Sequence, residues 1–77
     1  MNTILDFTLR QGEEFIPMVQ LLKVTQVVGS GGEAQVLVVE GQVRLNGTVD
    51  FRKRAKIRAG DIVQTMDVEI HVHANEN

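Results

Sequence analysis

Arg44, Arg52, Lys53, Arg54, Lys56 and Arg58 are six of the chain's eight Lys and Arg residues, and all lie between Gly41 and Gly60. Asp50 is the one acid in that interval, yet the 77-residue chain as a whole carries a formal net charge of −2. Like charges held side by side on one strand face repel, so stability does not account for the grouping. The chemistry it offers is anion binding. Arg52 and Arg54 suit bidentate contacts with phosphate oxygens, and Lys53 and Lys56 act as point charges. The overall acidity argues against adhesion through the whole surface and for a local patch.

The elements around this stretch must hold it outward. From Val43 the hydrophobic period is two, and Val43 and Leu45 precede Asn46-Gly47, the residue pair that a tight type I′ hairpin turn demands. Val49 and Phe51 are expected to continue the return strand, and Arg52-Lys53-Arg54 form a basic corner. Ala55 and Ile57 then alternate with Arg54, Lys56 and Arg58, giving one buried and one cationic face. Ala59-Gly60-Asp61 turns the chain into Ile62-Val63, and Val68, Ile70 and Val72 mark a final strand.

Upstream, Leu5, Phe7 and Leu9 alternate with polar residues, so a strand is expected over residues 3–10. Phe15, Met18, Val19 and Leu22 follow helical spacing, and an amphipathic helix is expected within residues 15–28, with Pro17 in its first turn. Phe7 and Phe15 read as core. Ser30 with Glu33 three residues later has capping-box spacing and opens a second helix near Gly31. The β-branched run Val36–Val39 favours a strand, but the Ser30 cap and the Gly41 stop favour helix. The Gly29–Gly32 turn either offers backbone N–H groups to an anion or is simply capped by Ser30 and Glu33. Residues 74–77 read as a frayed polar tail.

With this order of elements, residues 30–63 resemble the RNA-binding domain named after small-subunit ribosomal protein S-four, also called the alpha-L motif. The resemblance rests on Ser30, Glu33-Ala34, Leu37-Val38, Glu40-Gly41, Val43-Arg44-Leu45, Asn46-Gly47, Arg52-Lys53-Arg54, Ile57 and Gly60-Asp61-Ile62-Val63. The run from Glu40 to Gly60 is most similar to the small stand-alone bacterial subgroup of that family. The resemblance implies an α+β fold in which two short helices pack on a small, mainly antiparallel sheet, with residues 15–63 as the core motif of a single domain 1–77. It implies structured RNA as the partner, ribosomal RNA included, in company with ribosomal or RNA-processing proteins. Lys23, Arg44, Arg52, Lys53, Arg54, Lys56 and Arg58 would form the RNA-binding surface. Family members often begin the first helix with an Arg-Leu-Asp-like run, where this chain has Phe15-Ile16-Pro17-Met18. They often read Ser-Arg-Ser before Glu-Ala, where Gly31 and Gly32 replace the Arg and the second Ser. The helix-borne cations are thus largely missing apart from Lys23, and the weight falls on residues 44–58.

Other function classes find little in the sequence. There are no cysteines, hence no disulfide framework and no Cys-based zinc site. No Ser-His-Asp pattern and no evident carboxylate pair suggests catalysis. His71 and His73 face one way beside Glu69, with no clear third ligand, so neither metal nor cofactor is expected. The three aromatics are all Phe, too few for a reader of stacked single-stranded bases. Phe51 is expected to pack the hairpin rather than to stack on a base. No signal peptide or membrane span is expected, and a cytoplasmic location fits. The alternative to RNA is a protein-interaction module whose basic patch meets an acidic partner.

Overall fold

The computed structural model describes residues 3–75. In chain order the elements are β1 (Thr3–Thr8), β2 (Ile16–Pro17), α1 (Met18–Val24), α2 (Gly31–Val39), β3 (Val43–Leu45), β4 (Thr48–Val49), β5 (Lys56–Ile57), β6 (Ile62–Thr65) and β7 (Val68–His73). Five strands form an open sheet in the order β1-β7-β6-β3-β4, and β2 pairs with β5 in a separate ribbon. All pairings are antiparallel except β1 with β7, which run parallel with Thr3 opposite Val68 and Thr8 opposite His73. The architecture is two helices on a mainly antiparallel sheet.

One core joins these parts. Met18, Leu21 and Leu22 from α1 meet Ala34 and Val38 from α2, Val43, Val63, Ile70 and Val72 from the sheet, and Ala55 and Ile57 from the cationic segment. Leu22 is fully buried, and truncating such a side chain to Ala typically costs about 2–5 kcal/mol.

The second helix starts and stops where its sequence says. Ser30 Oγ accepts a hydrogen bond from the Glu33 amide at 3.2 Å. At the other end Gly41, at φ 74°, closes a Schellman motif. Its N–H donates to Val38 O at 3.1 Å, and Gln42 N–H donates to Leu37 O at 3.0 Å.

The first helix is shorter than its apolar spacing suggests. Pro17 has φ −62° and ψ 144°, an extended conformation, so Ile16 and Pro17 form a strand and the helix begins at Met18. Its end comes at Val24 because the Thr25 hydroxyl donates back to Leu21 O at 2.7 Å and Gln26 takes φ 62°. A side chain bonding its own helix and a residue in the left-handed region both oppose continuation. The expected strand 3–10 likewise stops at Thr8, although Leu9 N–H still donates to His73 O at 2.9 Å. Five short strands follow α2 rather than three or four. Residues 62–73 fold as a hairpin, and residues 56–57 pair with β2 instead of joining the main sheet. Ala74 and Asn75 have no regular structure, while the remainder of the tail, residues 76–77, lies outside the described residues.

Candidate nucleic-acid interface

The cationic segment begins at the β3–β4 hairpin. Asn46 and Gly47 both have positive φ, 51° and 88°, and Leu45 pairs with Thr48 across them, as a type I′ turn requires. The Asn46 side chain then ties this turn to the next one. Its Nδ2 donates to Asp61 Oδ1 at 3.0 Å, and its Oδ1 accepts from the Ile62 amide at 2.9 Å. The other Asp61 oxygen accepts from the Arg58 amide at 2.7 Å. Both ends of the intervening segment are therefore held by one Asn–Asp pair.

Its middle is held by backbone. Residues 50–55 form a loop in which Asp50 Oδ1 accepts from the Arg52 amide at 2.8 Å and Ala55 N–H donates to Arg52 O at 3.2 Å. The first N–H groups of a helix lack intrahelical partners, and α1 spends two of them here. Met18 N–H donates to Ala55 O at 2.9 Å, and Val19 N–H donates to Lys53 O at 3.1 Å. Pro17, which has no N–H to satisfy, precedes them. The loop's carbonyls point into the helix end, and its Lys and Arg side chains are left exposed.

Beyond the loop, β5 alternates as its sequence predicts. Ala55 and Ile57 are buried, while Arg54, Lys56 and Arg58 are exposed. Ile57 pairs with Ile16 and Lys56 with Pro17. This pairing brings Phe15 beneath the cations. Lys56 Nζ lies 5.0 Å from the Phe15 ring centroid, and Arg58 Cζ lies 5.9 Å from it. The ring's electron-rich face attracts both charges and reduces their mutual repulsion. Phe15 is thus a half-buried platform rather than a fully enclosed core residue.

Two open grooves result. One, of about 560 Å³, is lined by Arg52, Arg54, Ala55, Lys56 and Arg58. The other, of about 570 Å³, lies between Lys53 and Arg54 on one side and Pro17, Val19, Gln20 and Gln35 on the other. Arg54 belongs to both. Lys23 and Arg44 line neither groove: Lys23 occupies the last turn of α1, and Arg44 stands on β3 opposite Gln64. Arg52 is partly committed, since its Nε and Nη2 reach the two Asp50 carboxylate oxygens at 3.0 and 2.7 Å. Hydrogen bonding from that guanidinium holds the Asp50 carboxyl below its ordinary range despite its partial burial. Phe51 is 63% exposed and lies so close to Gly41 that an added Cβ there would come within 3.0 Å of its ring. His73 Nε2 meets Asp6 at 2.7 Å and His71 Nε2 meets Glu69 at 3.4 Å. Among the described residues no cluster of three His, Asp or Glu side chains is placed to hold a metal.

Four residues escaped the sequence reading: Phe15 as a platform, Gln20 and Gln35 as groove walls, and Asp50 as a clamp on Arg52. Only the last left a local signal, the Asp-x-Arg spacing.

The two helices, the Asn-Gly turn and the Gly-Asp return stand where the resemblance to the S-four-type domain places them. The S4 domain profile matches residues 7–73, and the chain belongs to that family. More particularly, it is 37% identical over 59 residues to YbcJ of Escherichia coli (strain K12), covering 77% of this chain and 84% of the relative. YbcJ of Shigella flexneri matches to the same extent. The solution structure of YbcJ from E. coli was described as revealing an alfaL motif involved in RNA-binding. It superposes with a TM-score of 0.73 at 34% identity, covering 96% of this chain and 92% of that one. The similarity that the run from residue 40 to residue 60 suggested is thus found with YbcJ.

Proposed function

We propose that this protein is a non-catalytic RNA-binding module of the cytoplasm. It docks on structured RNA, ribosomal or ribosome-associated, by electrostatic contact between phosphates and the loop that runs from Arg52 to Arg58. One observation carries this reading: the loop's backbone carbonyls cap α1, so its cations are presented outward on a fixed frame. Flexible cations lose entropy when they grip a phosphate, and a fixed frame reduces that cost. The family membership and the described role of the YbcJ motif support RNA over other polyanions. The scarcity of aromatics supports recognition of backbone and shape over base stacking.

Lys53, Arg54, Lys56 and Arg58 are the principal contacts in this reading. Arg52 contributes the part of its guanidinium that Asp50 leaves free, and Arg44 and Lys23 contribute at longer range. Crosslinking in cells followed by sequencing of the bound RNA tests the proposal. Enrichment of a structured RNA species is expected. Partners that survive nuclease treatment, with no RNA recovered, would point instead to an acidic protein partner.

A further inference from the structure

Phe51 does not extend the return strand. β4 ends at Val49, because the Asp50 carboxylate accepts from the Arg52 amide at 2.8 Å and turns the chain. The ring is left largely exposed and outside the hydrophobic core. The other two aromatics are engaged: Phe7 packs against the core, and the Phe15 ring lies beneath Lys56 and Arg58. A single exposed apolar side chain is ordinary by itself. What sets Phe51 apart is how it is held and what surrounds it.

Bonds on both sides of Phe51 fix its position. Before it, Asp50 N–H donates to Val43 O at 3.0 Å. After it, the Arg52 amide and guanidinium are both bonded to the Asp50 carboxylate. The ring itself rests on Gly41, where an added Cβ would lie 3.0 Å from Cε1 and 3.3 Å from Cζ. The absence of a side chain at position 41 therefore gives the ring its seat. An aromatic plane held in this way loses little conformational freedom when a ligand covers it.

The surroundings select the ligand. Gly41 also lines an open groove of about 490 Å³ with Gln42, Arg44 and Gln64. Phe51 thus adjoins that groove through Gly41 and the cationic loop through Arg52. Among the described residues Arg52 is the only Lys or Arg in an ion pair. Its bonds to both Asp50 carboxylate oxygens leave a near-neutral spot beside the ring, inside a segment that is otherwise positive. Phosphate is drawn to the unpaired cations, and a flat, uncharged group is drawn to the ring. A nucleic-acid base is such a group, and its own backbone carries the phosphates. Bases within a duplex are covered by their neighbours, so the base that reaches a side-chain ring is an unpaired one. One ring serves one base, on a surface that otherwise reads backbone and shape. We infer that Phe51 stacks on a single unpaired base of the bound RNA, so that the preferred target is a stem interrupted by a bulged nucleotide whose flanking phosphates meet Arg44 and the loop cations. This rests on the RNA-binding reading above and adds to it the kind of RNA.

The probes are two RNA hairpins that differ only by one unpaired adenosine in the stem, each titrated with the full chain by filter binding. The bulged hairpin should bind about 10-fold tighter, within the range of one base–aromatic stack. Phe51→Ala should abolish that preference and leave the affinity for the fully paired hairpin unchanged. Phe51→Leu, which keeps an apolar contact for Gly41 but has no ring, should behave as Phe51→Ala does, and Phe51→Tyr should keep the preference. Together they separate stacking from lost packing. Phe51→Trp gives the chain its only Trp, whose emission should be quenched by the bulged hairpin alone. Equal binding of the two hairpins by the wild type, or a preference that survives Phe51→Ala, overturns the inference and leaves RNA binding standing. Binding of neither hairpin overturns the RNA-binding reading and the inference with it. If Phe51→Ala changes neither affinity but removes a nuclease-resistant protein from a pull-down, the ring anchors a protein partner and the inference is overturned.

Discussion

The two faces of this small domain are built in opposite ways. On the cationic face the side chains are mutually repulsive and the backbone beneath them is tied down at several points. Lys53 and Ala55 carbonyls cap α1, Asp50 clamps Arg52, and Phe15 lies under Lys56 and Arg58. On the apolar face, where Val36, Val39 and Met66 stand exposed, the side chains are compatible with one another, and one backbone position is strained. A two-residue turn joins the strands at each, with both residues at positive φ in Asn46-Gly47 and only the first in Met66-Asp67. Asn46 and Met66 share a φ of 51°, but Asn46 suits the turn and adds two hydrogen bonds to the Asp61–Ile62 return. Met66 does not suit its turn. Where the turn supports a neighbouring surface, its chemistry is favourable. Where the turn residue is itself part of a surface, favourable turn chemistry is given up.

The largest expected effect separates the faces outright. Replacing Lys53, Arg54 and Lys56 together by Ala should weaken RNA binding by about 100-fold or more near 0.1 M salt, given about 1–3 kcal/mol for each charge-assisted contact. Thermal stability should hold, because all three side chains are exposed. A filter-binding titration alongside a melting curve checks both. Next in size, Asn46→Ala should destabilise the fold by about 2 kcal/mol, from lost left-handed tolerance and a lost hydrogen bond to the Ile62 amide. Denaturant unfolding measures this. If stability is unchanged, the Asn–Asp tie does not hold the segment.

Asp50→Asn should cost less, and its signature is pH dependence. The folded-state pKa of Asp50 is depressed, chiefly by hydrogen bonding from Arg52. The stabilisation is therefore complete above the unfolded carboxylate pKa and is lost as pH falls through the lower folded value. Melting temperatures of the wild type and of Asp50→Asn should converge in acid and separate at neutral pH. The smallest effect has the opposite sign. Met66→Asn should stabilise the fold by about 0.5–1 kcal/mol by relieving a left-handed Met, with RNA affinity unchanged. A loss of stability would mean that the turn is not strained.

Much of the cationic face was legible in the sequence because its determinants are local. Asn46-Gly47 dictates its turn, Ser30 and Gly41 bound α2, and the alternation from Arg54 to Arg58 sorts burial from exposure. What was not legible depends on chain segments meeting at a distance. The alternation around β5 does not say which segment it pairs with, and its partner β2 is only two residues long; it is this pairing that turns Phe15 from a core residue into a platform. The parallel β1–β7 pairing unites the two ends of the described chain, which no spacing rule anticipates. The early end of α1 comes from one hydroxyl bonding backward at Thr25, against an apolar pattern that continues through Val28. Met66 was unreadable for a different reason: its residue type contradicts its conformation.

The central claim is that a rigidly presented cationic loop meets RNA phosphates. Its most direct test is the affinity of the full chain for a structured RNA measured across ionic strength. If about five phosphates are neutralised, log affinity should fall against log salt with a slope of roughly −3 to −5. A slope near zero, or no binding to structured RNA at low salt, would contradict the account.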